Sequence, residues 1–529
     1  MARVQRARSP LPTPHTPEDH RKLLGIWDTA RTVRYRRILS ISALDVEALY
    51  PLIAAYVAEP ELAHSVEEIA LATDIWSWEM WNWKCDCSES DNGFGSSSGA
   101  ESYSRAIDDD AHAAMVSYAR RVGLGSEDTE SIVSRLNWKR DCLRGLDSHG
   151  GRLRQVLNRG WAAGATVLLF SLCPNVKTIF AGEADTGATS QFIARFLLRS
   201  NYGMLPRPAL QKLESVKVAP GSHYHERCEY ESTACYFSTI EPLDYVRAFH
   251  HLPQIKTLEM EGVSEYQNDF LLFPPGTSSF RSVRIRNSYL SYNLLGVIIR
   301  SSERLEEFEY SLGGLAYQDA GLVSACPKTL GKSLLQHKDW LQVLDLDIDA
   351  DMPAKWEDEE EMVDDDDHPD DEYFAIDLAK SSGPLHHQDL EDGREFGYTI
   401  GSLSEFTALR RLSIGFTTLT GIATDRWAHG QSEERFRLPF RLVDALPPNL
   451  EYLYFYGYRP NHHVRKIEDI VEEFLEDVKE RFPRLDVVGL DELVLGPGSK
   501  YGYELVVGED EFWQRPQYDW EWATVHCFE

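Results

Sequence analysis

The run His251–Met260, "HLPQIKTLEM", sets Ile255, Leu258 and Met260 at the spacing apolar-x-x-apolar-x-apolar. The spacing returns 25 residues later at Phe280, Val283 and Ile285, and after a further 25 at Leu305, Phe308 and Tyr310. In each unit the last two apolar positions are two apart, so in a strand they point to one side, and the first, three residues earlier, packs the turn that leads in. One unit cannot bury its own apolar face. Stacked neighbours share a continuous core and lay their strands side by side in a parallel sheet.

Working outward, the same cadence appears at Val66/Ile69/Leu71, Val176/Ile179/Ala181, Leu213/Val216/Val218, Leu341/Leu344/Leu346, Leu409/Leu412/Ile414, Leu450/Leu453/Phe455 and Leu485/Val488/Leu490, about ten units in all. A Pro or a short polar turn introduces many of them, as in "LCPNVKTI", "LPPNLEYLYF" and "RFPRLDVVGL", and ends an apolar segment compatible with a helix. Helix, turn and short strand in succession predict an α/β chain: an irregular solenoid with a curved parallel sheet and helices on the outer face. Two long gaps, from about 72 to 165 and from about 349 to 402, mark insertions. Within the first, helical apolar spacing covers Ala106–Val122 and Ile132–Leu143.

These features divide the chain into a disordered basic and Pro-rich N-terminus (1–40), an N-terminal helical and first-repeat region (41–165) and a solenoid (166–496), closed by an aromatic C-terminal cap (497–529). A Ser/Gly-rich insertion sits at about 84–105, and an acidic disordered insertion at about 350–400.

Four stretches, "VAEPELAHSVEEIAL", "LLFSLCPNVKTI", "FHHLPQIKTLEM" and "IIRSSERLEEFEY", resemble the leucine-rich-repeat region of the large family of fungal F-box/leucine-rich-repeat proteins, over roughly Leu44 to Leu490. The resemblance implies a leucine-rich-repeat-like solenoid whose repeats choose a substrate for a cullin-type ubiquitin ligase. It also implies an N-terminal F-box that recruits a Skp-type adaptor. The stretch "LPTPHTPEDHRKLLGIWDTARTVRYRRIL" lacks the Leu-Pro-x-Glu type of F-box start, so the adaptor is expected only if an F-box lies upstream.

With 85 acidic and 54 basic side chains, the formal charge is −31. That charge repels nucleic-acid phosphates and anionic membranes, which leaves proteins as the expected partners. No apolar run reaches the ~20 residues that span a bilayer. Eight cysteines and no Asn-x-Ser/Thr acceptor fit a reducing compartment, the cytoplasm or nucleus.

In the predicted stack, residues alternating with the buried positions line the open concave face, where binding is expected. The candidates are Arg284, Arg286, Glu307, Glu309, Asp345, Asp347, Arg411 and the aromatic rung Tyr452, Tyr454 and Tyr456. Tyrosine is enriched at interfaces, but it is also favoured in strands, so an ordinary solvated sheet face stands beside the binding reading.

Other constellations carry less. "HYHERCEYESTAC" brings His223, His225, Cys228 and Cys235 together without the paired grammar of structural zinc sites, so no metal is expected. "GSSSG" from Gly95 lacks the strand-turn-helix setting of a nucleophile elbow, and Cys85 and Cys87 beside it have no clear partner. Trp76, Trp78, Trp81 and Trp83 are expected to anchor the first insertion. In "WLQVLDLDIDADMPAKWEDEEEMVDDDD", Ala350 and Trp356 stand where a calcium loop needs Gly and Glu. With no phosphate loop, dinucleotide fingerprint or His-Glu-x-x-His, neither a cofactor nor catalysis is expected. The alternatives are an enzyme with a pocket at the junction of insertion and solenoid, using His223, His225 and Cys228, and an inactive relic of the F-box family.

Overall fold

The computed structural model describes residues 30–32, 34–40, 43–71, 107–146, 151–181, 191–218, 238–240, 242–261, 263–265, 273–286, 288, 290–311, 327–348, 399–420, 441–456, 465–485, 487–488, 494–495, 506–507 and 513–514. The chain divides into two compact units, Met1–Glu231 with Asp244–Lys256 and Glu521–Glu529, and Ser232–Leu243 with Thr257–Trp520. The boundary at Lys256 falls inside the stretch expected to be one solenoid. Among the described residues no helix is long and apolar enough to cross a membrane.

Unit 1 holds β1 (Arg37–Ser40), α1 (Ala43–Ala58), α2 (Pro60–Ala63), β2 (Glu68–Leu71), α3 (Asp109–Arg121), α4 (Ser126–Leu143), α5 (Gly151–Leu172), β3 (Thr178–Ala181), α6 (Gln191–Asn201), β4 (Ser215–Val218) and most of α7 (Pro242–Phe249). Its four strands pair in parallel and in sequence order, with Ile38, Ile69, Ile179 and Val216 in one register and all buried. β1 lies inside the stretch expected to be disordered. Tyr35 and Ile38 are buried at the first two positions of its unit, but Ser40 breaks the third, which hides the strand from a search for three apolar residues.

The first insertion supplies α3 and α4, which pack with α1 and α5 into a helical cluster. Local sequence sets these helices: Asp108 caps α3 by accepting from the N–H groups of Asp110 and Ala111, while Asp109, Asp110, Arg120 and Arg121 complement its dipole. Gly123, at φ 93°, turns the chain into α4 in the left-handed region that glycine tolerates. Trp161 of α5 and Met115, Ile132 and Leu136 of the insertion are buried at the centre.

Unit 2 holds β5 (Ser238–Ile240), β6 (Thr257–Glu261), β7 (Val263–Glu265), β8 (Ser282–Arg286), α8 (Tyr292–Ser301), β9 (Glu307–Ser311), α9 (Pro327–Leu334) with a 3-10 turn at Leu335–His337, β10 (Val343–Asp347), β11 (Arg411–Gly415), α10 (Phe416–Thr420), α11 (Leu442–Ala445), β12 (Tyr452–Tyr456), α12 (Arg465–Arg481), β13 (Val487–Val488), β14 (Val494–Leu495), β15 (Val506–Val507) and β16 (Trp513–Gln514). Leu258, Val283, Phe308, Leu344, Leu412 and Leu453 share one register across the six parallel strands β6, β8, β9, β10, β11 and β12. None of these six is more than 1% exposed. Burying each such side chain contributes ~1.5–3 kcal/mol.

The unit 2 ladder does not continue in parallel to Leu485/Val488. Instead β14 pairs antiparallel with β12, and β13 pairs antiparallel with β14. At α9, Gly331 lets the helix backbone lie directly on the Ile400 carbonyl, where a Cβ would collide. Each of the ten cadence units thus coincides with a strand, nine of them in parallel ladders. The observed architecture is α/β, with parallel strands joined through helices and loops.

Candidate functional site

The residues that alternate with the buried register in unit 2 form a ladder of charges on β6, β8 and β9. The Arg284 guanidinium donates to Glu259 Oε1 at 3.1 Å and to Glu307 Oε2 at 2.8 Å, and Ser282 Oγ donates to the same Glu307 oxygen at 2.8 Å. Arg286 makes a two-pronged contact with Glu309 through Nε and Nη2, both at 2.9 Å. The strand register places Glu259 opposite Arg284 and Arg284 opposite Glu309, so alternating strands present alternating charge. Burial pushes the Glu307 carboxyl up. The hydrogen bond and charge of Arg284, the Ser282 hydroxyl and the charge of Arg411 outweigh this and hold it below the usual carboxylate range. Burial likewise opposes the Arg284 charge, and Glu307 and Glu259 more than restore it.

Farther along the ladder, the expectation of an open face is corrected. Tyr452, Tyr454 and Tyr456 are 2%, 4% and 6% exposed and form one buried cluster. Tyr454 and Tyr456 meet edge-on with ring centroids 4.8 Å apart, and the Arg411 guanidinium lies 5.8 Å from the Tyr452 ring. Tyr456 donates its hydroxyl hydrogen to Oδ1 of the buried Asp345 at 2.7 Å. These two residues stand on β12 and β10, with β11 between them. Gly415 of β11, paired with Tyr456, has no side chain to block that reach. Rings that pack on one another lose more water-exposed apolar area than rings facing solvent singly, so an aromatic rung is driven inward. Glu309 is also buried, closed in by Arg286. The half-exposed members of the expected set are Arg284, Arg286, Glu307, Asp347 and Arg411, joined by Glu259.

A second row escaped the strand-based reading because it stands one residue ahead of each strand pair. It runs Arg36, Glu67, Lys177, Glu214 and Lys256 in unit 1, and Arg281, Glu306, Gln342, Arg410 and Glu451 in unit 2. Each residue after the first in a unit donates its backbone N–H to the carbonyl of the one before it. Apart from the neutral Gln342 the side chains alternate in sign, with Glu67 held at 2.9 Å by both Arg36 and Lys177, Arg281 at 3.3 Å from Glu306, and Arg410 at 3.9 Å from Glu451. Hydrogen bonds from Lys177 and Arg36 hold Glu67 below the usual carboxylate range. Its signal in the sequence is the residue directly after the first apolar position of each unit.

The cluster at His223, His225, Cys228 and Cys235 lies outside the described residues, as do Cys85, Cys87, the four tryptophans at 76–83, and Ala350 and Trp356. Among the described residues no group of His, Cys, Asp and Glu could hold a metal ion. What the ladder offers chemically is recognition: guanidinium and carboxylate groups held in place by one another. Comparison with protein-family models, curated proteins and solved structures finds no match to this chain.

Proposed function

We propose that the chain is a protein-binding scaffold, a leucine-rich-repeat-like α/β solenoid whose curved sheet carries a partner on the charged rungs of β6, β8 and β9, with Glu259, Arg284, Arg286 and Glu307 as the contact residues. The observation that carries this reading is Arg284, whose side chain is 31% exposed yet held between Glu259 and Glu307. A charged group already fixed in place gives up little rotamer freedom on binding, and its donors are aimed before the partner arrives. Alternating charge also selects against partners of the wrong pattern more strongly than it adds affinity. Resemblance to the fungal F-box family supports a narrower role, choosing substrates for a cullin-type ubiquitin ligase in the cytoplasm or nucleus.

The test is partner capture from cells with wild-type protein, the charge swap Arg284→Glu with Glu307→Arg, and Tyr454→Phe. The swap retains an internal pair while reversing the charge at both of its positions. Captured partners should be lost from the swap, with its circular dichroism unchanged, and kept by Tyr454→Phe. Unchanged capture by the swap refutes the assigned surface. Partners recovered without a Skp-type adaptor or cullin leave the scaffold reading and remove the ligase role.

A further inference from the structure

Unit 1 carries a feature that the ladder does not use, an open groove of about 470 Å³ along α3, lined by His112, Val116, Ser117, Arg120, Arg121 and Asn137, with Ala113. The α3 residues recur at helical spacing and form one face of that helix, and Asn137 projects from α4.

The floor is fixed by a buried chain of hydrogen bonds. Tyr50 Oη and His112 Nδ1 are 2.9 Å apart, and His112 Nε2 is 2.9 Å from Asn137 Oδ1. An amide oxygen only accepts, so Nε2 carries the hydrogen; burial disfavours the charged imidazole, which leaves Nδ1 to accept from the Tyr50 hydroxyl. With its oxygen engaged, Asn137 has its amide N–H groups to offer the groove.

Among the described residues, the remaining polar groups of the lining are the Ser117 hydroxyl and two guanidinium groups, with no carboxylate beside them. Glu130 stands 3.8 Å from Arg120 at the rim, with both side chains more than half exposed. Such a pair is weak, so an incoming anion displaces it at little cost. Arg121 lies 5.9 Å from the Tyr118 ring, which orients it without satisfying its donors.

We propose that this groove binds a phosphate group. The argument is a match of chemistry: a phosphoryl group carries close to two charges and three strong acceptor oxygens, which suits two guanidinium groups, one hydroxyl and one amide better than a two-oxygen carboxylate does. The group arrives either on a free small molecule or on a phosphorylated side chain of a peptide. Its place in unit 1 also contrasts with the charge of the chain: residues 1–218 carry 26 acidic and 26 basic side chains, and residues 219–529 carry 59 acidic and 28 basic. The strong field that repels anions therefore originates in the later part of the sequence.

The test is calorimetric titration of the full chain with inorganic phosphate, free phosphoserine, a phosphoserine peptide and the same peptide with Glu in place of phosphoserine. Wild-type protein should bind at least one phosphate-bearing probe saturably, more weakly as salt is raised. Arg120→Ala with Arg121→Ala should lose at least about tenfold in affinity, and Ser117→Ala a smaller factor, while Lys212→Ala elsewhere in unit 1 should leave it unchanged. Binding of the phosphopeptide alone assigns the source to a modified protein, and binding of phosphate or phosphoserine as tightly assigns it to a small molecule. No saturable binding, equal affinity in the double variant and Lys212→Ala, or equal affinity for the Glu peptide overturns the proposal. Ser117→Ala supplies the same reading should the double variant misfold.

Discussion

The two units use one strand cadence and put their polar groups to different ends. In unit 1 the strands are four residues long and chemical variety sits on the helices, with α1, α4 and α5 running to 16, 18 and 22 residues. In unit 2 the six parallel strands are five residues long and carry the charge ladder themselves, while the helix α8 and the shorter α9 serve mainly as apolar backing. A strand one residue longer adds one more alternating rung, which is how Glu261, Arg286, Ser311, Asp347, Gly415 and Tyr456 enter the unit 2 sheet. The shared cadence therefore specifies the core and leaves the site to whatever grows around it.

If the core is common to both units, truncating it should cost the most and cost it equally. Leu344→Ala and Ile179→Ala, both at fully buried register positions, should each lose ~2–5 kcal/mol in denaturant unfolding. A cost confined to one of them would break the equivalence.

The next largest effect sharpens the contrast. Arg284→Glu sets a further carboxylate beside Glu259, Glu307 and Glu309, and should cost ~1–3 kcal/mol at neutral pH, a cost that shrinks as pH falls and protonation relieves the repulsion. The paired but more exposed Arg37, bonded to Glu68 at 2.7 Å in unit 1, should tolerate the same reversal at ~1 kcal/mol or less.

Smaller again is removal of one hydroxyl. Tyr456→Phe takes a hydrogen bond from buried Asp345, and Tyr50→Phe takes one from His112, each expected to cost ~1–2 kcal/mol in thermal denaturation. Tyr50→Phe should also loosen the floor of the phosphate groove, and Tyr456→Phe should leave phosphate binding unchanged.

The smallest effect concerns pH. His337 accepts from the Leu305 N–H and donates to the Ile299 carbonyl, and burial keeps it below the ordinary imidazole range, as burial also does for His112. The unfolded chain takes up these protons near pH ~6.5 and the native state resists them, so stability is greatest above that value and declines as pH falls through the folded-state pKa. His337→Gln should flatten part of this decline in melting temperature, and a slope identical to wild type would remove the assignment.

Much of the fold was legible because the cadence is local: apolar residues three and then two apart carry their own instruction about sides. Ten units found in the sequence coincide with ten strands. β1 was missed for one residue, Ser40, and the last unit pairs antiparallel with β14, which itself occupies the edge of β12. Arg284 and Glu307 were legible as site residues, since alternation along a strand decides which side they occupy. Their mutual pairing needed the register between strands. The phosphate groove was invisible, since its floor joins Tyr50 to His112 across 62 residues, and neither flank carries a motif.

By itself, then, the sequence determined where the ten cadence strands form, which of their side chains face the core and how charge is apportioned, because these follow from period and composition along the chain. Only the tertiary structure decided which of the opposite-facing residues remain in contact with water. Tyr452, Tyr454 and Tyr456 have the same alternation as Arg284 and the reverse fate. The reason is that burial on that face depends on partners far away in the sequence, as when Asp345 meets Tyr456 across 111 residues, and no local pattern encodes such a meeting.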